Sequence, residues 1–284
     1  MLKYRILAIF TLILMVSRPV FVAAQSGGIP EGQADPEREN VLGARYLQHL
    51  YSDQKAIWTS PFHMTGKDSG LWLTFGAVTG VLIATDSRST RQLPNTGDQL
   101  AFSRNVSEVG ALYTLVPVVG GLFLSGVLTK QPKLRETGLL GGEALVDALI
   151  VSEVFKVATG RQRPLEGNSG GHFFHGSDSF PSGHTIESFA LASVVAHQYQ
   201  DNKAIVFLSY GLATLVGASR FSARQHFASD IVAGCVMGWF IGRHVFERSK
   251  EGRRSVAKAL LSPQVVPHVQ PSDRSFGILL AWHP

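Results

Sequence analysis

Three short segments set charged and nucleophilic side chains at spacings that could do chemistry. In the first, Lys156-Val157-Ala158-Thr159-Gly160-Arg161-Gln162-Arg163-Pro164, two permanent cations, Lys156 and Arg163, flank a helix end predicted at Gly160. Cations there could simply complement the helix dipole. The second, Phe180-Pro181-Ser182-Gly183-His184-Thr185, lies where irregular chain gives way to a helix. Helix N-termini bind anions. Gly183 would let a phosphate approach the backbone, Ser182 can donate a hydroxyl hydrogen bond, and His184 can exchange a proton. An ordinary helix start capped by Ser182 fits the same residues. In the third, Ser219-Arg220-Phe221-Ser222-Ala223-Arg224-Gln225-His226-Phe227-Ala228-Ser229-Asp230, His226 and Asp230 stand four apart at the start of a helix and share one face. A carboxylate accepting from one ring nitrogen would fix the tautomer and leave the other nitrogen as a nucleophile. A structural His–Asp pair in the core fits that spacing equally well.

Taken together, Lys156-x6-Arg163-Pro164, Pro181-Ser182-Gly183-His184 and Ser219-Arg220-x5-His226-x3-Asp230 resemble the signature of the phosphatidic acid phosphatase type 2 and vanadium haloperoxidase superfamily. Every fixed residue is present and in order, with 16 residues between the first and second motifs and 34 between the second and third. The resemblance covers residues 156–230, and the flanking helices share only its general pattern. It implies that Lys156, Arg163 and Arg220, with the Ser182 hydroxyl and the Gly183 amide, hold a phosphate. It further implies that His226 attacks phosphorus and becomes a phosphohistidine, that Asp230 holds the opposite ring nitrogen, and that His184 protonates the leaving alkoxide and then activates water. No metal and no cofactor are expected, because Lys and Arg supply the charge that magnesium supplies elsewhere, and vanadate should inhibit as a phosphate mimic. The expected activity is metal-independent hydrolysis of phosphate monoesters, on a lipid phosphate or a small soluble phosphoester. A membrane-embedded polyprenyl or lipid pyrophosphate phosphatase and a vanadium-dependent haloperoxidase share these motifs. His172 and His175, between the first two motifs, could line the substrate entrance or be merely exposed.

The elements that must position these residues read as an all-α bundle of about six to eight helices spanning 37–250. Spaced apolar residues predict a packing helix up to Trp58 and another over 67–85. The polar stretch 86–105, interrupted by Pro94 and Gly97, reads as a surface loop bordering the site. Apolar helices follow over 106–129 and 133–159, separated at Gln131-Pro132. Segment 160–181, with five Gly and two Pro, cannot hold a long helix and reads as a functional loop. Helices over 183–200, 202–218 and 225–250 complete the bundle. The extension 251–284 alternates apolar residues around Pro271-Ser272-Asp273, which fits either a small C-terminal β-hairpin or a frayed tail.

Lys3 and Arg5, an apolar run to Val16 and small residues ending at Ala24 predict a cleaved signal peptide over 1–24, followed by a flexible leader over 25–36. Cleavage would remove three of the 26 basic residues and leave a net charge of +2 against 21 acids, which gives no reason to expect a nucleic-acid partner. The single cysteine, Cys235, excludes an intramolecular disulfide. Residues 111–129 form an uncharged 19-residue stretch that could cross a bilayer. The other apolar runs are shorter and the mean hydropathy is only +0.12. The expectation is therefore an exported protein of the periplasm or cell envelope, soluble or peripheral at a membrane surface. Its oligomeric state has no code in the sequence.

Overall fold

The computed structural model describes residues 44–62, 66–166, 170–261, 264–270 and 275–281. The predicted signal peptide and leader, and the turn at Pro271-Ser272-Asp273, lie outside these residues. The architecture is all-α: α1 (Ala44–Thr59), α2 (Gly66–Gln92), α3 (Gly97–Ser107), α4 (Leu112–Leu128), α5 (Pro132–Thr159), α6 (Gly183–Gln198), α7 (Lys203–Ser222) and α8 (Ala228–Leu261). After α8, β1 (Gln264–Gln270) pairs antiparallel with β2 (Ser275–Ala281), with Pro267 opposite Ile278.

Local chemistry sets the helix ends. Pro132 occupies the first turn of α5, where its missing N–H costs nothing. The helix stops at Gly160, whose φ of 51° lies in the left-handed region that Gly enters without penalty. The Asn202 side chain caps α7 by accepting from the amides of Ala204 and Ile205, and Thr96 caps α3 by accepting from Gln99.

Helix α6 runs through the middle of the bundle, and 12 of its 16 residues are buried, among them the polar Thr185, Glu187, Ser188, Ser193 and Gln198. Its Ile186, Ala190 and Val194 meet Leu140, Ala144, Ala148 and Val151 of α5 and Ile241 and Val245 of α8. On α8, glycines recur every four residues at 234, 238 and 242. A Cβ on Gly238 or Gly242 would collide with the carbonyl oxygens of Ile186 and Ala190. Their absence of side chain lets α6 and α8 approach backbone to backbone, as small-residue stripes do in membrane bundles. That approach brings the N-termini of α6 and α8, which carry two of the three motifs, to the same end of the molecule.

Three expectations need correction. Segment 86–105 is not a surface loop. α2 continues to Gln92 and α3 begins at Gly97, so only residues 93–96 link them. The polarity of this stretch misled because Asp86 and Thr90 face inward and are 2% and 1% exposed. The helix predicted over 106–129 is also broken: α3 ends at Ser107, a short 3-10 turn follows, and α4 starts at Leu112. The break falls at Gly110, where a Cβ would run into the side chains of Val216 and Ser188.

The third correction concerns the membrane. Three helical stretches, Ser69–Gln92, Gly97–Leu128 and Lys203–Ser222, are long and apolar enough to cross a bilayer, and no more than 28% of each apolar window is buried inside the protein. Leu71, Leu73, Leu124, Phe207 and Leu212 are among their exposed large side chains. Single charges and small polar residues shorten the uninterrupted apolar runs in the sequence, but folding gathers the apolar side chains on outward faces. The preference for a soluble or peripheral protein does not survive this surface, because exposed apolar area on this scale marks a membrane or protein contact.

Candidate active site

The site lies where α5 and α7 end and α6 and α8 begin. Lys156 is in the last turn of α5, and its Nζ lies 2.6 Å from Glu153 Oε1. A Cβ built on Gly183 would stand 3.0 Å from that Nζ, so the α5 ammonium and the first amides of α6 share one small volume. Ser182 occupies the N-cap position of α6 but makes no side-chain capping bond. Its Oγ instead accepts from Thr185 Oγ1 at 2.9 Å, leaving its own proton and the α6 N-terminus able to serve an anion.

Arg163 bridges two loops, with Nε donating to Asp178 Oδ1 and Nη1 to Gln225 Oε1, each at 2.8 Å. Arg220, in the last turn of α7, is buried, and its Nη2 approaches His226 Nε2 at 3.3 Å. The half-buried His184 faces the same group of cations. Burial, followed by the charges of Arg220, His226, Lys156 and Arg163, pushes its pKa down to about 3. The structure thus brings together Lys156, Arg163, Ser182, Gly183, His184, Arg220 and His226. His172 and His175 lie exposed on the loop, with ring centroids 5.7 Å apart. No group of three or more His, Cys, Asp or Glu side chains forms a metal-holding arrangement among the described residues.

His226 is 2% exposed, and its Nδ1 lies 2.7 Å from the carbonyl oxygen of Ser179. A carbonyl can only accept, so Nδ1 carries the proton and Nε2 presents its lone pair toward Arg220. Burial outweighs the nearby Asp230 carboxylate and brings the His226 pKa down to about 4, which leaves the ring neutral at pH 7.

Here the expected role of Asp230 changes. Its nearest oxygen is 3.7 Å from His226 Nδ1, beyond hydrogen-bond reach. Asp230 Oδ2 accepts instead from Ser179 Oγ at 2.6 Å and from the amide of Phe227 at 2.8 Å. The carboxylate acts on the ring through residue 179, because Ser179 lies between Asp230 and the imidazole and offers its carbonyl first.

Two residues that sequence reasoning missed complete the site. Arg161 is 1% exposed and donates to Asp230 Oδ1 at 2.5 Å, Asp86 Oδ2 at 2.8 Å, Ser229 Oγ at 2.6 Å and the Gly171 carbonyl at 3.2 Å. Its guanidinium lies against the rings of Phe173 and Phe227, 4.8 and 4.5 Å from their centroids. Asp86 also accepts from the amide and the hydroxyl of Ser229. Arg161 stood inside the first motif, and its place directly after a left-handed Gly that turns the chain inward was the available signal. Nothing local marked Asp86.

Residues 137–253 match the model of the PAP2 superfamily. The lipid A 1-phosphatase of Porphyromonas gingivalis is 30% identical over 131 residues, and the match covers 45% of this chain but only 28% of that protein's length. Among solved structures, a transmembrane PAP2-type phosphatidylglycerolphosphate phosphatase from Bacillus subtilis aligns with a TM-score of 0.45 at 18% identity, over 72% of this chain and 94% of its own. LpxE of Aquifex aeolicus aligns with a TM-score of 0.38 at 20% identity, over 54% and 88%. The segment that carries the motifs, residues 137–253, belongs to the PAP2 superfamily.

Proposed function

We propose that this protein is a membrane-embedded lipid phosphate phosphatase that hydrolyses phosphate monoesters through a phosphohistidine at His226. The observation that carries the reading is the neutral His226, its Nδ1 proton committed to Ser179 and its Nε2 facing Arg220 amid Lys156, Arg163 and the α6 N-terminus. Such a cluster suits a group that is tetrahedral and dianionic, since phosphoryl transfer asks mainly for positioning and for donors aimed at the equatorial oxygens.

In the proposed reaction Nε2 forms a bond to phosphorus in line with the ester oxygen as the P–O ester bond breaks. His184 gives the departing alkoxide a proton, then takes one from the water that hydrolyses the phosphohistidine to inorganic phosphate. The depressed pKa of His184 bears on this step. Burial and then the nearby cations hold it down; the phosphate dianion offsets the cations, so the substrate itself raises the ring toward the protonated state a general acid needs. Arg163 and Arg220 can each offer two N–H groups to phosphate oxygens, whereas Lys156 contributes a point charge.

The lipid assignment rests on depth as well as on the P. gingivalis relative. Asp86 and Arg220 both lie near the C-terminal ends of apolar helices, within Ser69–Gln92 and Lys203–Ser222. A bilayer spanned by those helices would have its interface, where lipid headgroups sit, at the level of the site. The test is phosphate release from p-nitrophenyl phosphate and from phosphatidate by the detergent-solubilised protein in EDTA, alongside His226→Ala. The expected result is turnover by the parent alone, with the protein retained in membranes after carbonate washing. Inactivity of the parent on every phosphoester, or equal turnover by His226→Ala, would refute the reading.

A further inference from the structure

We infer that Asp86, on α2 and outside the segment that matches the family, is a positioning residue for the nucleophile. With Arg161, Asp230 and Ser179 it forms one buried relay that ends at the hydrogen bond on His226 Nδ1. The inference rests on the reading of His226 as the phosphoryl acceptor.

The relay is continuous. Asp86 Oδ2 accepts from Arg161 Nη2 at 2.8 Å, and Arg161 Nη1 donates to Asp230 Oδ1 at 2.5 Å. Asp230 Oδ2 accepts from Ser179 Oγ at 2.6 Å, and the Ser179 carbonyl accepts from His226 Nδ1 at 2.7 Å. Arg161 holds Ser179 a second time, because its own carbonyl accepts the Ser179 amide at 3.0 Å. Asp86, Arg161, Ser179, His226 and Asp230 are all at most 2% exposed, so water cannot replace a missing member.

Asp86 determines how Arg161 meets Asp230. A guanidinium offers five N–H donors in a planar fork, and with a single carboxylate nearby it tends to engage both oxygens. Here Asp86 occupies Nη2, so Arg161 takes only Oδ1 of Asp230 and leaves Oδ2 to Ser179 and the Phe227 amide. Without the Asp86 charge, Nη2 would turn toward Asp230 and draw the carboxylate away from Ser179. The carbonyl that holds Nδ1 would then lose its fixed position, and Nε2 its alignment. α2 therefore contributes to the reaction geometry as well as to the membrane-facing surface.

The experiment uses the full chain in detergent with p-nitrophenyl phosphate as substrate and vanadate as phosphate mimic. Asp86→Asn is expected to lower kcat about 10- to 100-fold, the scale set by roughly 1 Å of misalignment, with KM and the vanadate inhibition constant within about twofold of the parent. Asp86→Glu, which restores the charge, should recover most of the loss. Ser179→Ala removes one hydroxyl from the relay and should lower kcat in the same pattern. A kcat for Asp86→Asn within about twofold of the parent overturns the inference, and so does a loss of kcat matched by an equal weakening of vanadate binding, which would mean that the whole site had collapsed. If Asp86→Asn does not fold, Ser179→Ala decides alone, and an unchanged kcat there rejects the relay. His226→Ala run alongside separates the two levels. Turnover equal to the parent removes the mechanism and the relay with it, whereas an inactive His226→Ala beside a fully active Asp86→Asn removes only the relay.

Discussion

Two buried ionic clusters tie the N-terminal helices to the bundle, and they are built to different standards. At the active site, Arg161 joins Asp86 of α2 to Asp230 of α8, every oxygen of both carboxylates has a donor, and two aromatic rings hold the guanidinium. Farther along the bundle, Arg248 of α8 meets Asp53 of α1 at 3.1 Å and Glu143 of α5 at 2.7 Å, with His244 also 3.1 Å from Asp53. Gln54 donates to Asp147 at 2.8 Å. In this second cluster Asp53 Oδ2, Glu143 Oε1, Asp147 Oδ2 and Arg248 Nη1 have no hydrogen-bond partner. Arg248, like Arg161, meets two carboxylates, but a third, Asp147, lies in the same cluster with only Gln54 as its donor. The first cluster fixes atoms to a single geometry, which a nucleophile requires. The second fastens α1 and tolerates loose ends, because helix packing alone needs no such precision of geometry.

The comparison breaks most severely at Arg161. Arg161→Met strands Asp86 and Asp230 as buried, unpaired carboxylates and should cost about 3–5 kcal/mol of stability, together with turnover. Thermal unfolding and kcat measured on the same preparation check both. Arg248→Met should cost less, about 1–3 kcal/mol, since part of its cluster is already unsatisfied. Its kcat per folded molecule should stay within about twofold of the parent, and a loss of catalysis comparable to that of Arg161→Met would erase the distinction drawn here.

Acid should act on the active-site end. Burial lowers the pKa values of His226 and His184 from 6.5 to about 4 and about 3. Below pH 6.5 the unfolded chain therefore binds protons that the folded site refuses. The contribution of these two histidines to stability should be full above that pH and fall toward pH 4, by about 1 kcal/mol per pH unit for each, while Glu143, Asp147 and Glu187, whose carboxyl pKa values burial pushes up to about 7, 8 and 8, contribute in the opposite sense. Unfolding midpoints of the parent and of His184→Ala, compared between pH 7.5 and 4.5, test the sign: the parent should lose stability relative to the variant as the pH falls. The smallest effect concerns Glu153, which competes with substrate for Lys156 at 2.6 Å. Glu153→Gln should lower the vanadate inhibition constant a few-fold, in keeping with a partly exposed pair worth under about 1 kcal/mol.

Much of the site was legible in the sequence because the ligating residues cluster in short segments whose spacing survives folding. Asp230 does lie in the first turn of α8, with His226 two residues before the helix begins rather than on its face, Lys156 and Arg163 do flank the end of α5 at Gly160, and Ser182 does precede α6. The same local logic erred where side-chain direction mattered. Polar Asp86 and Thr90 looked like loop residues because hydropathy cannot tell a polar residue facing water from one facing an arginine in the core. Apolar runs bounded by charges looked too short to cross a membrane, although the helices continue past those charges to a spanning length.

What the sequence determined by itself is the set of residues that make up the candidate site and most of the helices that carry them, since motif spacing, Gly and Pro positions and apolar periodicity all act within a few turns of chain. What only the tertiary structure decided is who completes the site. Asp86 reaches Arg161 across 75 residues and Ser229 across 143, and the Ser179 carbonyl, not the Asp230 carboxylate, accepts the hydrogen bond from His226 Nδ1. Those contacts depend on how closely helices pack and how far each is turned about its axis. A backbone oxygen has no residue type to announce it, and a carboxylate acquires its partner only when two distant helices meet.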